Sequence, residues 1–84
     1  MEPYRIFLHV ELLDGIPARG EARKRIMDFI RSLADNPNTP GDFSDFDEEQ
    51  RSRQIKIIGR HAITYWTDEA VKVVMIVDAR LADQ

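Results

Sequence analysis

Hydrophobic and polar positions alternate from Tyr4 to Leu13. Tyr4, Ile6, Leu8, Val10 and Leu12 fall on one face, with Arg5, Phe7, His9 and Glu11 on the other. A period of two in branched and aromatic residues predicts a strand, apolar on one side and mixed on the other. Asp14-Gly15 closes it, because glycine tolerates the backbone angles of a turn. From Pro17 to Ala34 the period changes. Ala18, Ala22, Ile26 and Ile30, with Met27, Phe29 and Leu33 alongside, form a stripe at helical spacing, and Glu21, Lys24, Arg25, Asp28 and Arg31 fill the opposite side. This predicts one amphipathic helix of about 14–18 residues, roughly 21–27 Å long. Pro17 suits a first helical turn, but Gly20 weakens that start and makes Glu21 an equally good first residue. Asn36-Pro37 stops the helix, since the residue before proline is pushed out of the α region.

Residues 36–50 hold two prolines, a glycine and an acid cluster without a sustained period, and read as a loop. Three β-rich runs follow, IKII, AITYW and VKVVMIV, separated by Gly59-Arg60 and by Thr67-Asp68-Glu69. Gaps of two or three residues imply an antiparallel meander. Residues 71–77 are apolar except for Lys72, as in a strand covered on both faces. The predicted order is β-α-β-β-β, an α+β fold with one helix packed on a four-stranded, mainly antiparallel sheet. A chain of 84 residues makes this a single domain, 1–84, with room for one core.

Composition narrows the function. With no cysteine, the chain has no disulfide, thiol nucleophile or thiolate zinc site. No apolar run approaches the roughly 18 residues of a membrane span, and no basic stretch precedes an apolar core at the N-terminus. A cytoplasmic protein without membrane contact is therefore expected. Twelve Lys and Arg against fifteen Asp and Glu give a net charge of −3, which argues against general nucleic-acid binding unless the bases are gathered. They are gathered. Asp42, Asp45, Asp47, Glu48 and Glu49 occupy residues 42–49, and Arg51, Arg53, Lys56 and Arg60 occupy residues 51–60. A second basic group is Arg23, Lys24 and Arg25.

The acid cluster does not have calcium-loop spacing: its intervals are three then two, and the sixth position is Asp47 where glycine is required. His9 and His61 have no ligand partners near them in sequence. Nucleophile elbows, phosphate-binding glycine loops and dinucleotide fingerprints are absent, and no cofactor is implied. The basic meander remains. In alternation Arg53, Ile55 and Ile57 point one way and Gln54, Lys56 and Ile58 the other, while Tyr65 shares a face with His61 and Ile63, and Trp66 shares one with Ala62 and Thr64. Bases interleaved with aromatics suit phosphate contact and base stacking, and also suit an ordinary charged sheet face.

LADNP at the helix end, the acid-rich loop, QIKIIGRHAITYW and VVMIVDAR, in that order, resemble the RelE/ParE superfamily of small bacterial toxins over roughly residues 22–80. The resemblance implies a toxin of a type II toxin–antitoxin module, partnered by a small antitoxin protein. RelE-like members cut messenger RNA on the ribosome without metal, using basic residues and a tyrosine; ParE-like members poison DNA gyrase. On this resemblance Lys56 corresponds to a basic residue of the second strand, Arg80 to the arginine after the last strand, and Tyr65 to a structural tyrosine of the third. Where RNA-cleaving members carry Tyr-Arg, this chain has His61-Ala62. It also has one helix in place of two, and Gln84 in place of a terminal tyrosine.

Two functions follow. In an mRNA endonuclease, the ribose 2′-hydroxyl would attack the adjacent phosphate. Lys56 or His61 would act as base, Arg60 and Arg80 as phosphate clamps, and Arg51, Arg53, Arg60 and Tyr65 would hold RNA. An unperturbed histidine titrates near 6.5 and suits the base role directly, whereas lysine, near 10.4, would need depression by basic neighbours. In a non-catalytic binding module on the same fold, an edge strand and the amphipathic helix would dock an antitoxin, a gyrase-type target or a second copy as a homodimer.

Overall fold

The alternation that opens the chain breaks after Leu8. In a computed structural model describing residues 2–82, β1 runs only from Arg5 to Leu8, and Val10–Gly15 coils into a 3-10 helix. His9 causes the break by capping that turn: its Nδ1 accepts the Glu11 backbone N–H at 3.2 Å. Val10, expected on the apolar face, is exposed, while Leu12 and Leu13 both pack against the core.

Helix α1 spans Glu21–Ser32. Gly20, at φ 96°, is its N-cap, so Pro17 and Ala18 lie outside the helix. Within the predicted stripe, Ile26, Ile30 and Leu33 are buried, Met27 and Phe29 pack beside them, and Ala22 is exposed.

The sheet has five strands where four were expected. The added one is β2, Phe43–Phe46, inside the segment read as a loop. β3 (Ser52–Ile58), β4 (His61–Asp68) and β5 (Val73–Leu81) form the predicted meander, and the spatial order is β1-β5-β4-β3-β2. β1 lies parallel to β5, and every other pairing is antiparallel. β3 and β4 are joined by Gly59-Arg60; Gly59 has φ 62°, at the first central position, where a tight hairpin turn favours glycine. Loop 36–42 is tied to the sheet by side chains: the Tyr65 hydroxyl donates to Thr39 O and that of Thr67 to Pro37 O, each at 2.8 Å.

Residues directly opposite in the ladder share a face. Ile58, Ile63, Tyr65, Val74, Ile76 and Ala79 lie beneath α1 with Ile16, Ile26, Ile30 and Leu33, and this is the core. A register shift at Thr64/Tyr65 leaves Val77 as an extra residue on β5, between the pairs Thr64–Asp78 and Tyr65–Ile76. That bulge lets both Ile76 and Ala79 face the core, three positions apart. β5 is not covered on both faces, contrary to expectation. Met75 and Val77 are only half-buried on the side away from the helix, and Val71 precedes the strand in the open. No helix among the described residues is long and apolar enough to cross a membrane.

Candidate nucleic-acid and partner interface

The basic residues of the meander point to opposite sides of the sheet. Lys56 pairs with Ile63 and His61 with Ile58, which places both on the helix face. Arg80 pairs with Ala62, and both lie on the open face together with Arg53. The sheet itself therefore separates the proposed bases, Lys56 and His61, from Arg80, while the other proposed clamp, Arg60, lies in the turn beside His61. Ala62 stands beside Arg80, so an arginine at that position would join the open face and not Lys56 and His61.

Each charged hairpin side chain with a described ion pair is held by a carboxylate of this chain. Asp45 on β2 sits opposite Arg53 on β3 and takes its guanidinium in two bonds, 2.8 Å from Nε and 2.7 Å from Nη2. Asp47 takes Arg51 Nε at 2.7 Å and also accepts the backbone N–H groups of Glu49 and Arg51. Glu49 adds a second contact to Arg51 at 3.3 Å. Lys56 Nζ lies 3.8 Å from Asp42, and Arg80 is paired with Asp78. The hydrogen bond from Arg53 is the first cause holding the Asp45 carboxyl below the usual carboxylate range, and the bonds from Arg51 do the same for Asp47. Arg60, in the turn, is exposed, and its carbonyl accepts the Ala82 N–H at 2.8 Å.

The expected RNA-stacking role of Tyr65 needs correction. Its side chain is 1% exposed, its ring meets Phe29 edge-on at 5.6 Å, and burial pushes its phenol up to about 12. The available ring on this hairpin is Trp66. The Arg51 guanidinium lies 4.4 Å above its centroid, and the two border a depression of about 440 Å³ with Phe46, Asp47 and Arg53.

The bases were legible in the sequence, and their partners were not. The matched spacing of Phe43 and Asp45 with Ile55 and Arg53 was the available signal, since it sets opposite charges directly across two strands, which stabilises a pairing. Asp42, Asp45 and Asp47 diverge onto three different bases, and among the described residues no group of three acids and histidines converges as a metal site would require. No protein-family model and no curated protein matches this chain.

Proposed function

We propose that this chain is a RelE/ParE-like toxin component of a toxin–antitoxin module that acts by occupying a protein partner and does not cleave RNA. The ordered resemblance of residues 22–80 supports membership. The division of Lys56 and His61 from Arg80 across the sheet supports binding over cleavage, and is the observation that carries this reading. An in-line attack on a phosphodiester needs base and phosphate clamp around the same phosphorus, within hydrogen-bond reach of the reacting oxygens. Opposite faces of one sheet cannot supply that with Arg80 as the clamp.

Binding has surfaces to use. The open face carries half-buried Ile55, Ile57, Trp66, Met75 and Val77, with Phe7 and Phe43 exposed at its margins. Both edges, β1 and β2, are only four residues long and present unpaired backbone to an added strand. A small antitoxin protein is the partner this reading requires, and homodimerisation is its competitor for the same surfaces.

Inducible expression tests the reading. Growth should arrest when the chain is made alone and recover when the product of an abutting small open reading frame is co-expressed, with the two proteins co-purifying. Unimpaired growth, without a co-purifying neighbour, would overturn it.

A further inference from the structure

β1 is an edge of the sheet, bonded to β5 on one side only. The Arg5 N–H donates to Lys72 O, so in this parallel ladder Arg5 and Phe7 turn their amides and carbonyls toward β5. Ile6 and Leu8, alternating with them, turn theirs away from the sheet. The free stretch is short: the Tyr4 N–H is taken by Ala34 O at 2.8 Å, and after His9 the chain coils into the 3-10 turn. Phe7, opposite Met75 on the open face, is 52% exposed, and Val10 just beyond it is 70% exposed.

This edge is complementary to itself. Antiparallel pairing with a second copy, about a two-fold axis normal to the sheet, keeps each face continuous, so opposed residues share a face. Centred on Phe7, it sets Ile6 of each copy against Leu8 of the other, and each such pair exchanges both N–H···O bonds. The Phe7 rings then meet across the axis, and Arg5, the one charged residue of β1, meets no like charge. Centred on Ile6, the pairing would set Leu8 against Tyr4, whose N–H is already given. Centred on Arg5, it would set two guanidinium groups face to face. β2 lacks this complementarity. Its Asp47 N–H donates to Arg51 O, which leaves Ser44 and Phe46 turned outward and centres the same construction on Asp45, carboxylate against carboxylate.

We propose that β1 is the docking edge for a second copy of this chain: two five-stranded sheets join through a Phe7-centred antiparallel pairing. Both helices then lie on one face of the joined sheet, and the two open faces become one, with the Phe7 pair at its centre. This goes beyond the protein-binding reading above and requires no antitoxin.

Sedimentation equilibrium of the full chain at about 5–500 μM is the first test, since a contact below about 1,200 Å² in total belongs to the weak class. The mass should rise from one chain to two and stop there. One chain throughout, or growth past two as β1-to-β2 pairing would give, overturns the proposal. Phe7→Lys sets two ammonium groups across the axis and should weaken dimerisation about tenfold. Phe43→Lys, equally exposed on the other edge, should leave it unchanged. A dimer as strong in Phe7→Lys as in the unaltered chain also overturns the proposal. Disulfide trapping gives a second measurement, because the chain has no cysteine of its own. Opposed residues of a non-hydrogen-bonded pair have Cα atoms about 4.5 Å apart, within disulfide reach. Phe7→Cys should therefore cross-link in air about tenfold faster than Phe43→Cys, and equal or reversed rates overturn the proposal. Should circular dichroism show that Phe7→Lys has lost its fold, the cysteine comparison decides. None of these measurements involves growth arrest or a co-purifying neighbour, so the two readings fail independently.

Discussion

The phenol of Tyr65 is fixed at both ends, by the edge of Phe29 and by Thr39 O. Each contact makes a separate prediction. Tyr65→Phe keeps the ring and loses one hydrogen bond, and should cost about 0.5–1.5 kcal/mol in urea unfolding. Tyr65→Ala also opens a cavity under α1 and should cost about 3–5 kcal/mol. Neither substitution touches the open face, so any loss of partner binding should follow the loss of fold. Gly15 is a second residue with no freedom. A Cβ there would come within 1.8 Å of Ala79 O, because the 3-10 turn runs directly against β5. Gly15→Ala forces those backbones apart, and should lower stability by about 1–3 kcal/mol in the same measurement.

At the scale of elements, α1 and the meander were legible because each has one dominant period and clear punctuation. Ile26, Ile30 and Leu33 recur at helical spacing, and Gly59-Arg60 joins two β-branched runs. β2 was not. Its four residues, FSDF, show no alternation of apolar and polar positions, and the ion pair that ties them to the sheet lies with Arg53, eight positions beyond Asp45. β1 was misjudged in length because His9 fits an alternating pattern equally well as a strand residue or as a cap.

The β2–β3 pairing has a pH signature. Asp45 and Asp47 titrate lower in the folded chain than in the unfolded one, chiefly through Arg53 and Arg51. Their contribution is therefore fully present above the unfolded value of about 3.9 and is lost as pH falls through the lower folded values. The urea midpoint should drop on acidification below about pH 5. Asp45→Asn with Asp47→Asn should start from a lower midpoint at neutral pH and show a shallower acid decline. An acid decline as steep as that of the unaltered chain would place the titrating groups elsewhere.

For the molecule as a whole, net charge is a poor guide to the surface. The acidic total of −3 and the basic hairpin are two halves of one arrangement, in which Arg51, Arg53 and Lys56 are matched by Asp47, Asp45 and Asp42. Sequence segregation of charge, acids first and bases next, is here the mark of two adjacent strands and their turn. The same sheet that aligns these pairs also separates the expected catalytic set. The alternation of Arg53 against Lys56 was readable, but the face on which Arg80 lies depends on the Val77 bulge, which no local pattern announces.

The most direct test of that separation is mRNA cleavage on translating ribosomes, mapped by primer extension with the purified chain added. Intact message is expected with the unaltered chain. Message cut at defined positions, with cutting abolished by Arg80→Ala and by His61→Ala in a folded protein, would show that the two faces cooperate at one phosphate and would contradict it.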